Sequence, residues 1–216
     1  MRFLYGLVFI LLAQDVSAAC NCGHSIPTQQ AVATCKCNKP CPSWWKTGWA
    51  ITAFSGPLTS QTTSKIFSDA DFEGSGIVGL ALSKKLVSVW NNQLDFEIET
   101  VAVQNFGKQT NFEIDPISIV ARWRNFPWNK TLPTTIAIGD GLSIATEKPA
   151  LEVKRRGAND TSKVLNYVMA EITISAPDLP NWALVARYHH RSGMFGAFNG
   201  VHDASTAFTA GIKYWF

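Results

Sequence analysis

The sequence predicts an all-β chain, closed as an eight-stranded antiparallel transmembrane β-barrel, and three observations predict it. Beyond Trp44, short runs of alternating apolar and polar residues recur between turn residues, and no long capped helical period interrupts them. The runs count to eight, an even number that lets a sheet close with both ends on one side, as hydrocarbon demands because it satisfies no open edge. The composition, 46% apolar with 16% charged residues and thirteen Phe and eight Trp, gives a mean hydropathy of only +0.03, as spanning strands that alternate must.

The 216 residues suffice for one domain. A formal charge of +3, with Lys154-Arg155-Arg156 as the one short basic cluster, argues against a nucleic-acid footprint. Residues 1–19 read as an export signal. Arg2 supplies the positive end, Phe3 through Ala13 an apolar core too short to span a bilayer as a helix, and Ser17-Ala18-Ala19 a small-residue cleavage site.

Residues 20–43 follow as a cysteine-rich segment holding Cys20, Cys22, Cys35, Cys37 and Cys41. The oxidising compartment that export implies would allow two disulfides and leave one thiol over, with no pairing dictated by spacing, and no defined role is an open reading. Thiolate metal ligation by Cys35, Cys37 and Cys41 with His24 is the competing reading, weakened by the lack of a second close pair. A lipidated Cys20 is disfavoured, because Ser17 stands where a bulky aliphatic residue usually precedes such a cysteine.

The barrel occupies residues 44–216, with strands expected at 46–55, 74–84, 92–104, 112–126, 132–146, 163–175, 182–192 and 204–216. The odd-numbered links, such as 57–71, 148–162 and 193–203, are mostly long, and the even-numbered ones, such as 87–91 and 176–181, are short. Long loops outside and short turns inside are the outer-membrane arrangement, placing both ends in the periplasm. In the last strand Phe208, Ala210, Ile212, Tyr214 and Phe216 form a lipid face and Ala207, Thr209, Gly211, Lys213 and Trp215 a lumen face; the terminal Phe216 resembles the C-terminal signature of bacterial outer-membrane barrels. Asp95, Glu97 and Glu99 share one parity, as do Arg122 and Arg124. A charged lumen must pair its ions, so Glu97, Glu99 and Glu171 are expected to meet Arg122, Arg124, Arg187 and Lys213. The competing reading is a soluble sandwich with these charges in solvent.

Period two puts Leu184, Ala186, Tyr188, His190 and Ser192 on the lipid face of the seventh strand and Arg187, His189 and Arg191 inside. A polar pair facing lipid calls for a reason, since lipid offers few hydrogen-bond partners. Chemistry on a lipid ester is one: His190 as base removes the Ser192 proton, and Asp203, the nearest acid in sequence, holds the imidazole. The bland alternative is a headgroup-zone pair bonded to water or phosphate.

On these residues the chain resembles the outer-membrane lipid A 3-O-deacylases of Gram-negative bacteria. The resemblance rests on His190-Arg191-Ser192 in the penultimate strand, Asn199-Gly200 in the next loop, an acid shortly after and a final aromatic strand. It implies an eight-stranded barrel carrying histidine, serine and glutamate on its outer surface, with His190 as general base, Ser192 as nucleophile and Asp203 in the glutamate's place. It further implies hydrolysis of the 3-O-linked 3-hydroxyacyl chain of lipid A in the outer membrane through an acyl-enzyme, with lipopolysaccharide and outer-membrane lipids as partners and no cofactor. The Gly193 amide is then a candidate oxyanion donor, and Lys154, Arg155 and Arg156 are candidate lipid-phosphate contacts. The chain departs from the family in three ways: many members carry asparagine where Gly193 stands, the acid is aspartate and offset, and the cysteine-rich segment is extra.

Two other classes compete. One is a non-enzymatic outer-membrane structural or surface-binding barrel. The other is a metal site of His189, His190, His202 and Asp203, against which period two argues by sending His189 and His190 to opposite faces.

Overall fold

The computed structural model describes residues 48–61, 72, 74–202 and 204–216; the export signal, the cysteine-rich segment and Asp203 lie outside the described residues. Among the described residues the strands are β1 Trp49–Thr59, β2 Ser75–Val89, β3 Leu94–Phe106, β4 Phe112–Trp123, β5 Thr134–Ala145, β6 Val164–Ile174, β7 Trp182–Ser192 and β8 Thr206–Trp215, with an α-helix, α1 Ala150–Arg156, and a 3-10 turn, Ala158–Asp160, between β5 and β6. Each strand pairs antiparallel with its sequence neighbours, and β8 returns to β1 to close the barrel. The ends meet on one side, where the Phe216 amide donates to the Trp49 carbonyl at 3.0 Å.

Several boundaries differ from the sequence expectation for local reasons. β2 continues to Val89 because a bulge between Lys85 and Val87 absorbs Leu86 and keeps the ladder with β3. β4 stops at Trp123, and the Arg124 amide turns back to the Gln93 carbonyl at 2.8 Å. In β4 the register with β5 slips between Ile114 and Ile117 at Asp115-Pro116, where the proline supplies no ladder donor. Parity therefore reverses: Glu113 and Asp115 point inward before the slip, and Ser118 and Arg122 after it.

The exterior is apolar, and the interior is rich in charged and polar side chains beside an apolar cluster that includes Phe54, Val101, Val103, Val120 and Met169. Leu80, Leu82, Ile119, Ile138, Leu184 and Ile212 are all exposed on the outer wall, forming the band that lipid covers. Aromatic residues gather at the end that carries the termini: Trp182 packs on Tyr214 with ring centroids 4.6 Å apart, and Trp90 meets Trp123 edge-on at 6.3 Å. Such a girdle sits at headgroup level and marks the periplasmic rim.

Ion pairs fill the lumen as the alternation requires. Arg122 bonds Glu97 at 2.8 Å and Glu171 at 2.9 Å, Arg187 bonds Glu99 at 2.9 Å, and Glu171 also takes Arg187 and Lys213. Arg124 departs from the expected set and pairs with Asp95 at 2.8 Å, because it lies beyond β4 at the periplasmic mouth. At the other mouth α1 folds inward as a stopper: Glu152 receives Arg191 at 3.0 Å, and Ser205 and Thr161 at 2.7 Å each.

Candidate functional site on the outer wall

β7 delivers His190, Arg191 and Ser192 alternately outward, inward and outward at the extracellular rim. Arg191 is fully buried and anchors the strand end: besides Glu152 it donates to the Ser143 hydroxyl at 3.1 Å and to the carbonyls of Ser162 and Lys163 at 3.1 and 3.0 Å. With that side chain fixed in the lumen, its two neighbours must lie on the other face.

His190 occupies the outer face but lies against the wall, only 7% exposed. Its Nδ1 is 2.8 Å from the hydroxyl of Thr206, its register partner on β8, and its ring lies 5.6 Å from that of Tyr188 at a tilt of 31°. When Thr206 accepts from Nδ1, the lone pair resides on Nε2, the form a general base needs.

Ser192 is half-buried, and its hydroxyl oxygen accepts the Met194 amide at 3.2 Å. Its partner across β6 is Asn166, whose Nδ2 donates to the Gly141 carbonyl at 2.8 Å and to both Asp140 oxygens at 3.2 Å. The Asn166 Oδ1 is buried without a partner. A polar row, Asp140, Asn166 and Ser192, thus crosses an otherwise apolar wall beside His190 and Thr206.

Sequence reasoning missed Asp140, Asn166 and Thr206. The signal was present in parity, since each falls in the lipid-facing frame of its strand, with Ile138, Val168 and Phe208 respectively. Asp140 stands two strands from His190, about 10 Å at ordinary strand spacing, so it serves Asn166 and not the imidazole. Asp203, the acid singled out from sequence, lies outside the described residues.

Toward the membrane midplane the wall is grooved. Ala170, Ala186 and Ala210, on three consecutive strands, leave a depression bordered by Ile136, Ile172, Tyr188 and Phe208. It crosses the outer surface from Ile136 on β5 to Ser55 on β1, and His190, which does not line it, lies one outward position beyond Tyr188.

Gly193 has a steric explanation independent of chemistry. A Cβ there would lie 1.7 Å from the Val201 carbonyl oxygen, because the 193–201 turn folds directly over it. That turn holds Met194 and Phe195 at φ 46° and 55°, and Phe195 is 95% exposed. Replacing Gly193 with the asparagine common in the resembling family is expected to displace this turn and cost about 1–3 kcal/mol, read as a lowered thermal or denaturant midpoint in detergent. An unchanged midpoint would show that the turn yields freely. The amide that contacts the Ser192 oxygen is that of Met194 and not of Gly193. Lys154 and Arg155 are exposed on α1 at the same extracellular end, and Arg156 is half-buried.

No protein-family profile matches the chain, and no curated protein does. Among solved structures it is similar to the outer-membrane enzyme PagL, at 13% identity with a TM-score of 0.53 over 76% of this chain and 98% of that one. It is also similar to Neisserial surface protein A, at 16% identity and TM-score 0.46 over 79% and 98%, and to the Yersinia pestis outer-membrane protein Ail, at 12% and 0.41 over 79% and 99%. At such identities the likeness is one of fold. With the inverted polarity, the aromatic rim and the even strand count, it makes the chain an eight-stranded β-barrel of the bacterial outer membrane.

Proposed function

We propose that the chain is a serine ester hydrolase of the outer leaflet, acting on the 3-O-linked 3-hydroxyacyl chain of lipid A. The observation that carries this reading is the position of His190 and Ser192 in the lipid-facing frame of β7, extracellular of a depression lined by Ala170, Ala186 and Ala210. A saccharide headgroup held at the rim directs its acyl chain down the wall, which brings the ester carbonyl to the level of Ser192.

In this mechanism the Ser192 oxygen attacks the carbonyl while His190 takes its proton. The C–O bond to the sugar then breaks, and His190 returns the proton to the leaving sugar oxygen. Water, deprotonated by the same imidazole, cleaves the acyl-enzyme and releases the 3-hydroxy fatty acid. Thr206 steadies the ring through Nδ1, and Asp203 is the acid assigned to stabilise the imidazolium. Amides of the 193–194 turn are the candidate oxyanion donors. No step requires a cofactor.

Lys154, Arg155 and Arg156 are the proposed phosphate contacts. Changing Lys154 and Arg155 to Gln is expected to weaken binding to lipopolysaccharide vesicles by about fivefold per charge and to flatten its salt dependence. Unaltered binding at low salt would remove these residues from lipid recognition.

A non-enzymatic structural or surface-binding barrel is the second reading. It is favoured by the Met194 amide already engaging Ser192 and by glycine at position 193. Folded protein in mixed detergent and lipid A micelles separates the two. The esterase yields lipid A lighter by one 3-hydroxyacyl chain and an equal amount of free acid by mass spectrometry. Intact lipid after long incubation establishes the second reading.

A further inference from the structure

The charges of the lumen can be balanced layer by layer. In the middle, Glu97, Glu99 and Glu171 face Arg122, Arg187 and Lys213, three against three. Nearer the extracellular mouth, Glu113, Asp115 and Glu152 form ion pairs with Arg191 and His189 among the described residues. With all three carboxylates ionised and the imidazole neutral, this layer carries two negative charges in excess. A protonated imidazole leaves one.

Asp115 is the least satisfied member. It is 0% exposed, and neither carboxylate oxygen has a hydrogen-bond partner. Its Oδ2 lies 4.0 Å from Nε2 of His189, which is itself 3.1 Å from Oε1 of Glu113. Ser143 donates to that Glu113 oxygen at 2.8 Å and holds it in place. Two more buried polar atoms here lack partners: Nδ1 of His189 and the hydroxyl of Tyr167, whose ring lies 4.8 Å from the imidazole. A buried carboxylate beside a second one, with its nearest imidazole nitrogen 4.0 Å away, is disfavoured in its charged form, and a cation between these donors would offset that cost.

We propose that Glu113, Asp115 and His189 bind one divalent transition-metal ion, of the zinc or manganese class, inside the extracellular half of the barrel. One donor atom from each residue lies within 4.8 Å of the others. An ion about 2.0–2.2 Å from each donor fits between atoms so spaced with small side-chain adjustments. An imidazole nitrogen beside two carboxylates suits a borderline ion better than calcium, which takes six or more oxygens. Two positive charges cancel the excess. The register slip at Asp115-Pro116 makes the site, since it keeps Glu113 and Asp115 on the lumen side while the rest of β4 changes parity. The ion links β4 to β7 across the lumen directly behind His190, a structural staple independent of whether Ser192 acts on lipid.

Because the site is closed, loading is tested during folding. Full-length protein is folded into detergent with Co²⁺ or Zn²⁺, freed of loose metal by dialysis and analysed for bound metal. Wild type is expected to retain one cobalt with visible ligand-field bands of nitrogen and oxygen coordination, and its unfolding midpoint to rise with metal. Asp115→Asn and His189→Gln are expected to lose that cobalt and the metal-dependent rise. Asp115→Asn should fold without metal at least as well as wild type, because it removes a buried charge. Folded wild type without stoichiometric metal overturns the proposal. So does metal bound equally by both variants, which assigns it to the cysteine-rich segment.

Discussion

Replacing Ser192 with alanine is expected to lower the release of 3-hydroxy fatty acid from lipid A by at least about 10³-fold while leaving the barrel folded. The size follows from the proposed chemistry. Without the hydroxyl no acyl-enzyme forms, and any remaining turnover comes from substrate positioning and oxyanion donors alone. Ser192 is half-buried at a strand end and its hydroxyl oxygen accepts the Met194 amide, so its removal should change stability by under about 1 kcal/mol. His190→Gln should be about as damaging. The double variant should be no worse than either single one, because serine and base act as a unit. Thr206→Val, which removes only the hydroxyl at Nδ1, should lower the rate without abolishing it and shift the acidic limb of the pH–rate profile. Product released at the wild-type rate by Ser192→Ala would eliminate this serine as nucleophile.

Changing Arg187 to methionine is expected to destabilise the barrel by about 3–5 kcal/mol. Its guanidinium reaches Glu99 at 2.9 Å and also bonds Glu171, with both partners fully buried. Methionine fills much of the space but strands Glu99, whereas Glu171 retains Arg122 and Lys213. The cost is that of uncompensated buried charge and not of lost volume. Adding Glu99→Gln should therefore recover a large part of it. Equilibrium unfolding in urea, with the refolding branch recorded, reads both effects. A loss below about 1 kcal/mol would mean that water reaches the lumen and screens the network.

The strand count and the choice of inner and outer faces were legible because each rests on a local period of two. Lys213 and Phe208 declare their sides from neighbours within the same strand. The lumen ion pairs were foreseen as a set for the same reason: a membrane wall tolerates no bare charge. Their partners were only partly foreseen. Arg124 found Asp95 because β4 ended early, and which acid met which base depended on how far the strands slide on closure. At the candidate site, His190 and Ser192 were found as polar residues in a lipid-facing frame. Thr206, Asn166 and Asp140 obey the same rule but lie in other strands, and they became neighbours only through pairing.

The amino-acid sequence by itself determined that this chain makes an even-stranded barrel with charge inside, aliphatic side chains outside and His190 and Ser192 on the lipid side. Those are properties of residues two apart, settled by the pleat. Only the tertiary structure decided that Arg187 on β7 meets Glu99 on β3, that Asp115 and His189 converge from strands on different sides of the lumen, and that the Val201 carbonyl excludes any side chain at position 193. Such contacts depend on register, bulges and closure, which are set by all eight strands together.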